Sequence, residues 1–156
     1  DKGSRYPSFI RISAYGKYLK LLIAQNHLGK HVTVLGKLSA EQMKEQYLKC
    51  SVFVCPSAVE NSPNSIGEAM LMGVPVVAAR TGGIPSLIDE NRDGILYEPG
   101  NINELTDAIL QIWNEAVISS VYGENARKHA CRTHDPNRNY TRLIEIYRAL
   151  YAANGV

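Results

Sequence analysis

The spacing of apolar positions changes along the chain, and each change predicts an element. Phe9–Ala14 reads as a strand. Tyr18, Leu21, Leu22 and Leu28 then fall at helical spacing, with Gly29 placed to cap that helix at its C-terminus. Val32–Leu35 predicts a strand ending at Gly36. Ser39 followed three residues later by Gln42 is a capping-box pattern, opening a helix whose buried face is Met43, Tyr47 and Leu48. Val52–Cys55, closed by Pro56-Ser57, predicts a strand buried on both faces. A loop carrying Glu60 leads to a helix starting near Asn64-Ser65 and stopping at Gly73. Val74–Ala79 is the next strand, ended by the turn Gly82-Gly83. A short helix around Pro85–Asp89 and a strand at Gly94–Tyr97, ended by Pro99-Gly100, complete this alternation.

The remainder reads as helix. Asn101 and Glu104 form a capping pattern ahead of Ile102, Leu105, Ile109, Ile112 and Trp113. A helix around Val121–Cys131 follows, and Asp135-Pro136 opens the last one, with Pro just inside its start. Tyr140, Leu143, Ile144, Tyr147, Leu150 and Tyr151 make its stripe, most simply core. Alternating strands and helices predict an α/β domain with a parallel sheet. Asp1–Ser8 is polar and turn-rich and is set apart from a single domain over residues 9–156. In such sheets ligands sit outside the carboxyl ends of the strands, where the loops around Glu60 and Gly82-Gly83 fall.

Composition narrows the class. With 156 residues, 45% hydrophobic and 21% charged, the chain is long enough to bury a core. A formal charge of +2 gives no case for nucleic acid, and no apolar run approaches the roughly 20 residues of a membrane span. Cys50, Cys55 and Cys131 are odd in number and lack metal spacing, which fits reduced thiols in the cytoplasm. His27 and His31 are separated by Gly29 and make no metal pair. His129 and His134 lie among Arg127, Lys128 and Arg132 and read as surface residues.

The candidate chemistry sits around the central helix. Its first N–H groups, near Asn64, Ser65 and Ile66, have no partner inside the helix and carry the positive end of its dipole. They suit a phosphate, with Gly67 keeping the approach open. A carboxylate beside a phosphate is useful only if it reaches neutral hydroxyls, as Glu68 would on a ribose and Glu60 on a sugar. Two plainer readings stand beside this one. Ser65-Ile-Gly-Glu68 is itself a capping box, and Glu60 can be a solvated loop carboxylate.

Taken together, Pro56-Ser57, Glu60-Asn-Ser-Pro-Asn-Ser-Ile-Gly-Glu68-Ala-Met, Gly73-Val-Pro-Val-Val and Gly82-Gly83 resemble the retaining GT-B glycosyltransferases of family GT4. Asp93-Gly-Ile-Leu-Tyr-Glu-Pro-Gly100 and Val32-Thr-Val-Leu-Gly36 extend the resemblance over roughly residues 9–150. The resemblance implies a Rossmann-like sheet flanked by helices, the C-terminal half of a GT-B fold, which holds a nucleotide-sugar donor. By position, Glu68 would bind the ribose and Glu60 the donor sugar, as the residue of the catalytic centre. The amides of Asn64, Ser65, Ile66 and Gly67 would hold sugar and diphosphate, Gly36-Lys37 would lie against the base, and Gly82-Gly83 would wall the cleft. No metal or other cofactor is implied, and the donor nucleotide is UDP by family habit.

The sequence also departs from the family. The strand and Arg/Lys loop that clamp the diphosphate are not present whole, and Lys2-Gly3 is only a faint echo of them. The acceptor-binding N-terminal domain, which would be the partner of this one, is not in these residues. The fragment is therefore expected to be inactive alone, and an uncovered part of its last helix would favour self-association. The resemblance places the parent at the inner face of a bacterial membrane, in polysaccharide or lipopolysaccharide assembly. A nucleotide-sugar 2-epimerase and a non-catalytic binding module are the alternatives. A NAD-dependent dehydrogenase is excluded by the lack of a GxGxxG after a strand.

Overall fold

The computed structural model describes residues 14–153, which fall into two compact units divided between Leu38 and Ser39. The described part of the first unit holds helix α1 (Ala14–Gln25) and a 3-10 turn (Leu28–Lys30). The predicted strand at Phe9–Ala14 lies outside the described residues, except for Ala14, which begins α1. The cap after α1 differs from expectation. His27 takes the left-handed conformation at φ 55, while Gly29 sits inside the 3-10 turn. The predicted strand at Val32–Leu35 is not formed, and Val32, Val34 and Leu35 are exposed. Apolar alternation supplies strand propensity, but a strand needs a neighbour to pair its backbone, and this segment has no ladder among the described residues.

The second unit is a three-stranded parallel sheet covered by helices. It runs α2 (Ala40–Lys49), β1 (Phe53–Cys55), α3 (Asn64–Leu71), β2 (Val76–Ala79), a 3-10 turn (Ile84–Ser86), β3 (Gly94–Tyr97), α4 (Ile102–Asn114), α5 (Ala116–Thr133) and α6 (Pro136–Ala153). The order is β1-β2-β3, with Phe53 opposite Val76 and Val76 opposite Gly94. β2 is central and buried throughout, as its uninterrupted Val-Val-Ala-Ala predicts. Successive residues point to opposite faces. Val76 and Ala78 meet Ile66 and Met70 of α3 and Ala126 of α5, whereas Val77 and Ala79 meet Ala108 and Ile112 of α4. Val52–Cys55 was expected to be buried on both faces. Only Cys55 is, because β1 stands at the edge of the sheet among the described residues.

Local signals set several boundaries. Ser39 and Gln42 form the full capping box at the start of α2. Asp135 Oδ1 accepts from the backbone N–H of Asn137 and Arg138 to open α6. At α4 half of the expected box forms: Asn101 Oδ1 accepts from Glu104 N, but the Glu104 carboxylate accepts instead from Glu98 N at 2.8 Å. The faces of the helices are less faithful to the sequence. In α2 only Tyr47 is buried, with Met43 and Leu48 exposed. In α4 Ile102 and Trp113 are exposed and Ala108 takes a core place. α5 begins five residues before its predicted start, and the stripe on α6 contains no buried residue.

Two glycines fix how α3 and α5 meet. Gly73 ends α3's turn at φ +74, and a Cβ on Gly123 of α5 would collide with the Gly73 carbonyl. Gly123→Ala is therefore expected to lower unfolding free energy by about 1–3 kcal/mol, whereas Gly29→Ala, with nothing within 4 Å of its Cβ position, should stay within about 0.5 kcal/mol of wild type. Urea unfolding of the two variants checks the contrast.

Candidate functional site

All three strands are parallel, so Cys55, Ala79 and Tyr97 end at one edge of the sheet. The loop after β1 carries Glu60 and the loop after β2 carries Gly82-Gly83. The structure brings these loops together through their backbones. A Cβ on Gly82 would overlap the carbonyl of Glu60, and one on Gly83 would overlap the carbonyl of Asn61. Gly82 also sits at φ +52, where L side chains are strained. Thr81 Oγ1 adds a hydrogen bond to the Ala58 carbonyl at 3.1 Å. The glycine pair is thus the surface on which the Glu60 loop rests. Glu60 itself is half-buried and accepts from the Asn61 N–H at 3.0 Å.

The start of α3 settles one alternative. Its N-cap is Pro63, in extended conformation, and no side chain caps the helix. Ser65 lies inside the first turn, so the capping-box reading of Ser65 and Glu68 does not hold: proline begins the helix too early for it. Of the expected amides, that of Ile66 already donates to the Pro63 carbonyl at 3.2 Å. Asn64 is exposed, Ser65 half-buried, and Ile66 and Gly67 are buried. Gly67 answers a packing need as well. A Cβ there would collide with the ring of His134, which closes α5.

Glu68 is exposed, and its carboxylate is held by α2. The Tyr47 hydroxyl lies 3.2 Å from Glu68 Oε2 and 3.3 Å from the Ser65 carbonyl oxygen. Tyr47 is 4% exposed. Its burial, and next the adjacent Glu68 charge, push the phenol up to about 12. A groove of about 260 Å³ runs beside this pair, lined by Met43, Lys44, Tyr47, Glu68, Leu71 and Met72. Gly36, at φ +73, and Lys37 form an exposed loop of the first unit.

A second polar cluster escaped sequence reasoning. Asp93 is 1% exposed, and its Oδ2 lies 2.6 Å from His129 Nδ1 while Oδ1 accepts from the Asp89 N–H at 2.8 Å. Burial moves the Asp93 carboxyl above its usual range, against the opposing pull of His129. His129 is therefore the partner of a buried carboxylate, not a solvated surface residue, and His134 packs on α3. Asp93 and His129 are 36 residues apart, and no local pattern links them. Donor atoms of Asp89, Asp93 and His129 lie within 4.8 Å of one another, and beside them is a cleft of about 610 Å³ also lined by Arg92, Arg127 and Arg132. The Asp93 oxygens are already engaged by His129 and the Asp89 amide.

A parallel sheet with a crossover helix uncapped by side chains, and Glu60 in a loop at its carboxyl edge, is an open α/β arrangement of the kind whose ligands sit at the strand ends. The chain belongs to the glycosyl transferases group 1, whose family model it matches over residues 12–129. A glycosyltransferase of Methanocaldococcus jannaschii is 30% identical over 112 residues, covering 72% of this chain and 32% of that one. Among solved structures, sucrose-phosphate synthase from Thermosynechococcus elongatus superposes with a TM-score of 0.81 at 28% identity, covering 90% of this chain and 35% of the other. HepE of Anabaena, solved in complex with UDP-glucose, gives a TM-score of 0.79 at 28% identity, covering 86% and 37%. The sheet and its helices have the fold of GT-B glycosyltransferases. The chain spans about a third of the length of these relatives.

Two outcomes follow from the geometry. Gly82→Ala should destabilise the domain by about 1–3 kcal/mol, through overlap with the Glu60 carbonyl, and a larger loss of protection at the Asn61 amide in hydrogen exchange would localise the effect. Tyr47 supplies a signature at high pH. Below about pH 10 its phenol is un-ionised in both folded and unfolded chains. Between about 10 and 12 the unfolded chain ionises first, so stability falls as pH rises. Tyr47→Phe should make the fall of urea midpoint over that window shallower than in wild type.

Proposed function

We propose that the chain is the donor-binding part of a retaining glycosyltransferase that transfers a sugar from a nucleotide sugar, a UDP-sugar, to a glycan or lipid-linked acceptor. The observation that carries this reading is the exposed carboxylate of Glu68, freed from any capping role and held at the start of a helix that no side chain caps. A diphosphate needs uncompensated N–H groups and a positive dipole, and a ribose needs a carboxylate beside them. In this reading Glu68 accepts from the ribose hydroxyls, and the amides at Asn64 and Ser65 take the diphosphate, with Ile66 and Gly67 shaping the turn. Glu60 contacts the donor sugar in the catalytic centre. Gly82-Gly83 serve by supporting the Glu60 loop, a role that their lack of side chains supports.

No metal or other cofactor has a part in the reading. Charge developing on the leaving diphosphate would be met by helix dipole and positive side chains. The support for UDP is the UDP-glucose held by HepE. Among the described residues no helix is long and apolar enough to cross a membrane. Work at the cytoplasmic face of a bacterial membrane, in polysaccharide assembly, rests on the family resemblance. The exposed Tyr140, Tyr147 and Tyr151 of α6 suit cover by the acceptor domain of the whole protein, or by a second copy when that domain is absent. Transfer is assigned to the whole protein, and donor binding without turnover to this chain alone.

Calorimetric titration of this chain with UDP, GDP and ADP tests the reading. One nucleotide, UDP, is expected to bind saturably, and Glu68→Gln to weaken it by about tenfold or more, since a hydrogen bond to a charged group is lost. Failure of all three nucleotides to bind at millimolar concentration would overturn it.

A further inference from the structure

The Tyr47–Glu68 contact has features that packing alone does not require. Tyr47 is the one buried residue of α2, its ring set edge-on to Phe53 at a centroid distance of 5.6 Å. That contact, and the apolar neighbours around it, would be kept by phenylalanine. The hydroxyl instead reaches across to α3, where two acceptors await its single hydrogen: Glu68 Oε2 at 3.2 Å and the Ser65 carbonyl at 3.3 Å. Both belong to the first turns of the helix whose N-terminus faces the strand ends. The carboxylate it touches is exposed, so without this donor the Glu68 side chain would sample several rotamers. Among the described residues no other hydrogen bond holds that carboxylate.

We infer that Tyr47 is a positioning residue for donor recognition, anchoring Glu68 Oε2 so that Oε1 is presented to a vicinal diol of the ligand. The inference rests on the donor-site reading of Glu68 given above. A hydroxyl suits this task at any working pH. Its proton stays in place because burial beside a carboxylate disfavours the phenolate. It is neutral, so it leaves the carboxylate its full charge for the ligand's hydroxyls. The anchor also ties the ribose contact to α2, so a shift of α2 relative to α3 would change affinity without touching the ligand.

The test is a double-mutant cycle read by calorimetry with two ligands, UDP and 2′,3′-dideoxy-UDP, which lacks the ribose hydroxyls. Wild type, Tyr47→Phe, Glu68→Gln and the double variant are compared. Tyr47→Phe should weaken UDP about five- to tenfold, the worth of one charge-assisted hydrogen bond or of the rotamer freedom it removes. It should leave dideoxy-UDP within about twofold, and the loss should vanish in the Glu68→Gln background. Equal weakening of both ligands, or a loss that persists without the Glu68 carboxylate, would show a general structural effect and overturn the inference. If Glu68→Gln weakens UDP while Tyr47→Phe does not, the donor-site reading stands and the positioning role falls. If Glu68→Gln leaves UDP unchanged, the assignment of Glu68 falls, and the role of Tyr47 with it.

Discussion

Burial of β2 is the constraint on which the second unit depends. Val76, Val77 and Ala78 are 0% exposed and Ala79 1%. The strand can pair on both sides and still be covered on both faces only if a helix lies over each face. α3 and α5 supply one layer and α4 the other. The residues of β2 are small and branched, so helices can lie close and the packing leaves little freedom. The glycine pair at Gly73 and Gly123 follows from that closeness: α5 meets the backbone at the end of α3, so Gly123 has no room for a methyl group, while Gly73 sits at φ +74, where a side chain is strained.

The same closeness shapes the carboxyl edge. With β1 and β2 in register, the loops that leave them meet immediately. Two peptide backbones in contact leave no space for Cβ atoms, and Gly82-Gly83 meets that condition under Glu60 and Asn61. The glycines make Glu60's position a property of the sheet instead of a property of its own loop. α3 meanwhile begins at a proline that cannot offer a side-chain cap, leaving its first amides to be satisfied by water or a ligand. A stable core thus ends in an edge that is polar, open and held in place.

Asp93 and His129 show how this fold handles a buried carboxylate. One carboxylate oxygen is satisfied by a backbone amide and the other by the imidazole, joining the turn before β3 to α5. Burial of such a group is tolerable only when both oxygens are engaged. Removing either partner leaves an uncompensated polar group, whereas the pair itself adds little net stability. Arg80 makes a related but weaker tie at the surface, reaching Glu90 and Glu98 at 2.6 and 2.9 Å.

The sequence by itself determined what depends on near neighbours in the chain. The runs Val52–Cys55, Val74–Ala79 and Gly94–Tyr97 name the three strands, because a strand buried in a parallel sheet needs an apolar run. Ser39 with Gln42, and Asp135 with Pro136, name their helix starts because capping is a local hydrogen-bonding event. The motif from Glu60 to Gly83 likewise marked the loops that meet at the carboxyl edge. Tertiary structure decided everything that depends on distant partners. It left Val32–Leu35 without a strand, since pairing needs a neighbour. It gave Tyr47 to Glu68, His129 to Asp93 and His134 to Gly67, contacts across many residues that no spacing announces. It also chose which residues of each amphipathic helix face the core, because that depends on where the helix docks and not on its period alone.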